Sequence, residues 1–374
     1  MYSRAPEKPN EQLHKDIQLL CDEYARYNTF DPSYFNLYNV KRGLRNADGT
    51  GVLAGITHIC NVHGYLLSEG EKVPIDGELT YRGININNLV AGCQAENRFI
   101  FEETAWLLLM GALPNEEKLN KFMEILANSR ELPDNFTEDI IMKVASPNIM
   151  NMLARSVLAL YTYDFNPEDT SIENVIRQSI QLIARMPSIM VAAYQVKKRI
   201  YDGRSMYLHN PRADYSTAQN ILRLLRSDKQ FTEDEARLLD LCLMLHSEHG
   251  GGNNSTFSVR VLTSSGTDTY SAISAGIGSL KGPRHGGANH KVIEQLECLK
   301  QGVSNWDDDQ EIQDFLRKIV NKQAGDGSGL IYGMGHAVYT KNDPRAIILK
   351  RNAVHMATGS DFEGEFRLLD AIER

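Results

Sequence analysis

From Glu102 onward, apolar residues recur at helical spacing in one segment after another, and that repetition leaves little room for anything but packed helices. In Glu116–Asn128, for example, Leu119, Phe122, Met123 and Leu126 fall at i, i+3, i+4 and i+7. Residues 102–110, 148–161, 172–201, 234–246, 291–299, 311–322, 345–357 and 364–374 read the same way, with polar or proline breaks at Pro114, Pro133 and Pro147. Pro187 is expected to kink or divide 172–201. Thr232 and Glu235 form a capping box for the helix that follows. Its residues Leu238 to Leu245 are apolar all round, which predicts a buried helix delivering His246 and His249 inside the protein. Strand signals are small and confined to Val52–Cys60, Gly64–Tyr65 and Asp76–Gly83. Further upstream, Leu13, Ile17, Leu20 and Tyr24 share one stripe of an N-terminal arm, and Asn46–Gly51 is a turn cluster. The fold class is therefore all-α, with minor short β-strands near the N-terminus.

A length of 374 residues allows one large domain or two ordinary ones. Forty basic against 48 acidic residues, a net charge of −8, exclude non-specific nucleic-acid binding. Five scattered cysteines, Cys21, Cys60, Cys93, Cys242 and Cys298, form neither a disulfide framework nor a Cys-x-x-Cys metal site. No apolar run reaches the ~18 residues of a membrane span, and the polar start is neither a signal nor a transit sequence. A reducing, cytoplasmic location and a partnership with small molecules, without nucleic acid or membrane, are the expectation.

Three stretches carry the chemistry. Gly282-Pro283-Arg284-His285-Gly286-Gly287-Ala288-Asn289 confines a histidine between glycines and a proline, a prescribed turn after the small-residue run Tyr270–Leu280. The two glycines of that run each cost a helix about 1 kcal/mol, so the helix needs close packing, and His285 is expected at the end of a rigid, buried element. Leu245-His246-Ser247-Glu248-His249-Gly250-Gly251-Gly252-Asn253-Asn254-Ser255 precedes it. Tyr332-Gly333-Met334-Gly335-His336-Ala337-Val338-Tyr339, with Asp343-Pro344-Arg345 beyond, follows it. The i, i+3 spacing of His246 and His249 lacks zincin geometry, so no metal is expected. Gly325–Gly335 follows a helix instead of a strand, which disfavours a Rossmann loop but leaves a glycine loop that a flat or phosphorylated ligand can approach. Ser264–Asp268 lacks a base at nucleophile spacing and reads as a helix N-cap. Arginine is the preferred bidentate partner of a carboxylate, and a histidine fixed in one tautomer donates a hydrogen bond to a carbonyl oxygen gaining charge. These residues predict carbonyl chemistry on a small anionic acid.

At these three stretches the sequence closely resembles the citrate synthase family, in the family's order and roughly its spacing. Gly55-Ile56-Thr57-His58-Ile59-Cys60-Asn61-Val62-His63-Gly64-Tyr65 and Leu79-Thr80-Tyr81-Arg82-Gly83 resemble its N-terminal region as found in bacterial members. The resemblance implies a multihelical homodimer: a large domain at 1–286, lacking a C-terminal return segment, and a smaller, incomplete CoA-binding domain at 287–374 that closes over it. It implies that His285 hydrogen-bonds the thioester oxygen of acetyl-CoA and that His336 polarises the ketone of oxaloacetate. His249 and Arg345 would bind oxaloacetate oxygens, with Asn253 and Ser255 in support. Leu330, Ile331, Tyr332, Gly333, Met334, Gly335 and Asn289 would contact CoA, a co-substrate; no tightly bound cofactor is implied. The family's proton-abstracting aspartate has no match, since none of Asp343, Asp361 and Asp370 fits its motif. A C-terminally incomplete member with impaired turnover is thus the expectation. A 2-methylcitrate synthase using propionyl-CoA and a non-catalytic ligand-binding relative are the alternatives.

Overall fold

A computed structural model describes residues 31, 33–37, 46, 51, 52, 55–69, 71–282, 285–336 and 338–374. The stripe of Leu13 to Tyr24, most of the turn 46–51, and Pro283, Arg284 and Ala337 lie outside the described residues. The chain divides into two units, residues 1–56 and 57–374. The first contains helix α1 (Ser33–Leu37).

The second unit opens with a three-stranded antiparallel sheet, β1 (Cys60–Ser68), β2 (Glu71–Tyr81) and β3 (Ile84–Asn85), in that spatial order. The first strand starts at Cys60, eight residues later than the apolar run from Val52 had indicated, because β2 ends opposite Cys60 at Tyr81. Arg82 and Gly83 join β2 to β3 with φ of 50° and 83°, the two left-handed residues of a tight hairpin turn. The guanidinium of Arg82 donates to the carbonyl of Leu108 (3.1 and 2.6 Å) near the end of a helix, where a cation is favoured.

Helices make up the remainder: α2 (Ile86–Ala95), α3 (Phe101–Met110), α4 (Glu116–Asn128), α5 (Ile149–Leu160), α6 (Ile172–Ile200), α7 (Thr217–Leu225), α8 (Glu233–Leu245), α9 (Asn254–Thr263), α10 (Thr269–Leu280), α11 (Ala288–Gly302), α12 (Asp309–Val320), α13 (Pro344–Ala357) and α14 (Glu363–Glu373). Pro187 does not divide α6, which runs 29 residues. Its buried face, including Leu182, Ile189 and Val196, packs with Met152, Val157, Leu160 and Tyr270, and that packing outweighs one missing N–H. The capping box at Thr232 and Glu235 forms, and Asp268 caps α10. As its composition demands, α10 is closely packed: a Cβ at Gly276 would meet Val259 Cγ2 at 2.9 Å.

Two cores matter for the site. One joins the sheet (Cys60, Leu79, Tyr81) to α2, α3, α8 (Leu241, Met244, Leu245) and α13 (Ile348), and so sets where α8 ends and α13 begins. The other lies within 288–374, where Leu296, Leu299, Ile312, Leu368 and Ile372 pack together. In α14 the deepest residue is Leu368, which the sequence stripe of Phe366, Leu369 and Ile372 had passed over.

Asp240 of α8 is buried and accepts from the backbone N–H groups of Ile100 (2.6 Å) and Phe101 (3.2 Å), capping α3 from outside. Burial and the neighbouring Glu102 push its carboxyl up to about 7, against the pull of those two N–H bonds and of Arg237. With a folded pKa above its unfolded value, the folded state holds the extra proton between about pH 4 and 7. Stability is then lost as pH rises through that window. Asp240→Asn keeps an acceptor and is expected to flatten this fall by ~1–3 kcal/mol. Urea unfolding at pH 4.5 and 7.5 would show it, and equal pH slopes in the two proteins would refute it.

Candidate active site

The turn after α8 is fastened from both sides. Tyr81, fully buried, donates its hydroxyl to the carbonyls of Met244 (3.3 Å) and Glu248 (3.0 Å). The Glu248 carboxylate accepts from the N–H groups of His249 (3.0 Å) and Gly250 (2.7 Å). Gly250, at φ 84°, lies against β1, where an added Cβ would sit 3.0 Å from Val62 Cγ2. Only glycine suits both the dihedral and the approach.

The two histidines of this turn part company. His246 is exposed, not internal as its helix had suggested, and its Nδ1 is 2.6 Å from the Cys242 carbonyl. His249 turns inward, and its Nε2 is enclosed without a hydrogen-bond partner among the described residues. Burial, then the charge of Arg345 and the His336 ring, press its pKa down to about 4. His249 is therefore neutral at pH 7, with a polar atom that none of the described residues satisfies.

Beside it lies the second glycine-bounded histidine. The ring centres of His249 and His336 are 5.0 Å apart, edge to face, and Tyr339 stacks on His336 at 4.7 Å. The Nδ1 of His336 accepts from the backbone N–H groups of Val338 (3.1 Å) and Tyr339 (3.0 Å). Two fixed donors require Nδ1 to be unprotonated, which places the proton of the neutral ring on Nε2. That is a hydrogen-bond donor held in one orientation.

Arg345 stands in the first turn of α13, which Asp343 caps and Pro344 opens. Its Nε and Nη2 donate to the Asp343 carboxylate (3.0 and 2.6 Å). Burial would raise the Asp343 pKa, but these bonds and the Arg345 charge hold it below the usual carboxylate range. The pair fixes the guanidinium fork and leaves Nη1 without a partner among the described residues.

His285 stands differently. Its turn closes through Gly286 N–H to the Leu280 carbonyl (2.8 Å), and a Cβ on Gly286 would strike that oxygen at 2.7 Å. The His285 ring is exposed, where its glycine setting had predicted burial, and no ring contact joins it to His249 or His336 among the described residues. Asn253 and Ser255 bond each other, Ser255 Oγ to Asn253 Oδ1 at 2.6 Å, at the start of α9.

The glycine loop forms a separate feature. Gly325, Gly327, Gly329 and Gly333 all have positive φ. Gln295 of α11 accepts from the Tyr332 N–H (2.8 Å) and donates to its carbonyl (3.3 Å). Tyr332 donates its hydroxyl to Asp326 (2.8 Å). A cavity of ≈ 230 Å³ opens here between Lys291, Cys298, Asp326, Leu330 and Tyr332. Leu330 and Met334 are exposed, Ile331 half-buried, Gly335 exposed, and Asn289 lies exposed in the first turn of α11. Sequence reasoning missed Tyr81, Glu248, Gln295, Tyr339 and Asn342, whose parts are played through paired hydrogen bonds or one stacked ring that no spacing encodes.

A helical scaffold brings together two imidazoles, at least one of them neutral, and a carboxylate-braced arginine, an arrangement able to bind a carboxylate and to donate a hydrogen bond to a carbonyl oxygen. Comparison with known proteins narrows the class. The family described as citrate synthase, C-terminal domain, matches residues 46–374. Citrate synthase of Acidithiobacillus ferridurans is 35% identical over 314 residues, 82% of this chain and 72% of the relative. That of Deinococcus radiodurans is 32% identical over 316 residues, 84% and 77% of the two chains. The crystal structure of citrate synthase from Pyrobaculum aerophilum superposes with a TM-score of 0.70 at 26% identity, covering 86% of this chain and 74% of that one. The chain belongs to the citrate synthase family. No helix among the described residues is long and apolar enough to cross a membrane.

Proposed function

We propose that the protein is a citrate synthase, joining acetyl-CoA to oxaloacetate and hydrolysing citryl-CoA to citrate and CoA. The observation that carries this reading is the grouping of His249, His336 and Arg345, with the proton of neutral His336 assigned to Nε2. In this reading Arg345 takes a carboxylate of oxaloacetate through its free edge, and His249 presents its enclosed Nε2 to a substrate oxygen. His336 donates to the ketone oxygen as carbon–carbon bond formation turns it into an alkoxide. His285 donates a hydrogen bond to the thioester oxygen of acetyl-CoA and so favours its enol. The 287–374 segment supplies the CoA contacts, Leu330 to Gly335 and Asn289, and residues 296–372 carry a core of their own, so that part closing over 1–286 would exclude water. A homodimer and a cytoplasmic location are part of the proposal.

The reading is tested by CoA release from acetyl-CoA with and without oxaloacetate, alongside oxaloacetate binding by calorimetry. Binding without any release favours the non-catalytic alternative, and a larger kcat/KM for propionyl-CoA favours methylcitrate, since one methylene is worth only ~1–3 kcal/mol. His285→Ala is expected to reduce CoA release by ~10²–10³-fold while leaving oxaloacetate affinity within about threefold (below ~1 kcal/mol). Unchanged release would remove His285 from the mechanism.

A further inference from the structure

The pairing of β1 with β2 is broken at one place. His63 pairs with Glu78 and Tyr65 with Pro74, so Gly64 alone faces Ile75, Asp76 and Gly77. Such a bulge leaves backbone groups outside the ladder. The Gly77 N–H is taken by the side chain of Asn342, Oδ1 at 2.8 Å, while Asn342 Nδ2 donates to Asp76 Oδ1 at 3.1 Å. The two contacts fix the orientation of the amide, because its flip would set NH₂ against N–H and oxygen against carboxylate. Tyr339 adds a third tie, its hydroxyl donating to the Glu78 carbonyl at 3.1 Å.

Glycine on both strands makes room for this. A Cβ at Gly64 would meet the Val338 carbonyl at 2.8 Å, and one at Gly77 would meet Pro344 Cδ at 2.8 Å and overlap the Asn342 carbonyl. Val338, Tyr339, Asn342 and Pro344 thus lie against the bulge of the hairpin.

We propose that Asn342 is a positioning residue: seated in the β1–β2 bulge, it fixes the segment that carries His336 at one end and Arg345 at the other, and so sets the spacing between the carbonyl donor and the carboxylate clamp. This deepens the oxaloacetate reading above and rests on it. Asn342 touches no substrate in this account. It immediately precedes Asp343, the cap of α13, so a shift of Asn342 displaces the Arg345 fork, while Tyr339 transmits the same anchor to the plane of the His336 ring.

Asn342→Asp sets a second carboxylate against Asp76. It is expected to raise the oxaloacetate Kd at least tenfold (~1.4 kcal/mol) and to shift the imidazole NMR signals of His249 and His336 in the ligand-free protein. Asn342→Ala should do the same more weakly and without charge repulsion, which covers a failure of the first variant to fold. The double variant D76N/N342D reverses the donor and the acceptor at constant net charge. It should return the Kd to within about threefold (below ~1 kcal/mol) and restore the ring signals. A purely stabilising residue would lower the melting temperature while leaving Kd and ring signals unchanged in the folded protein. That outcome overturns the proposal, and so does a double variant as impaired as the single one. Failure of the unaltered protein to bind oxaloacetate would sink the functional reading instead, and the ring signals would still decide the role of Asn342.

Discussion

Replacing His336 by alanine is expected to lower CoA release from acetyl-CoA and oxaloacetate by ~10²–10³-fold, the usual cost of one lost donor to a developing oxyanion. The ring is exposed, so its removal should not unfold the chain. Its two backbone contacts commit Nδ1 to accepting, which leaves a neutral ring one proton to offer. Protonating Nδ1 would set N–H against N–H and disrupt both contacts. Oxaloacetate binding in the variant should change far less than turnover, because the ketone carries its full charge only in the transition state. Turnover within threefold of the unaltered protein (below ~1 kcal/mol) would be incompatible with the role given to His336.

Arg345→Leu is the second large effect. Loss of a partly enclosed charge-assisted contact costs ~2–5 kcal/mol, so the oxaloacetate Kd should rise by about 30-fold to several thousandfold. Lysine should not rescue it, since an ammonium cannot reproduce the fork that holds Asp343 on one side and a ligand carboxylate on the other. The variant also leaves Asp343 without the bonds and charge that depress its pKa, and the His249 pKa should climb from about 4 once the Arg345 charge is gone. Calorimetry gives the affinity and histidine NMR the titration. A Kd within threefold, with His249 still titrating near 4, would show that Arg345 faces neither the ligand nor His249.

Much of this could be read along the chain because helical periodicity is local. The limits of α4, 116–128, and the capping box of α8 come directly from spacing, and the helix ends then place Gly250–Gly252 and Gly333–Gly335 where turns must be. Burial was less legible. His246 and His249 are three residues apart on the same turn, yet one faces solvent and the other the interior, because the direction depends on Tyr81 and Val62, about 160 to 190 residues earlier. Pro187 leaves α6 undivided for a related reason: a long packed face can carry one missing hydrogen bond, and the sequence does not reveal how much surface packs. Asn342 gave no signal at all, since its partner is an N–H freed by irregular strand pairing.

The Gln295 side chain binds both main-chain groups of Tyr332 as a neighbouring strand would. Four glycines of the loop are left-handed, and this amide couples Tyr332 to a helix fifteen residues long. Displacing the tyrosine therefore means either breaking both amide contacts or carrying α11 along with it.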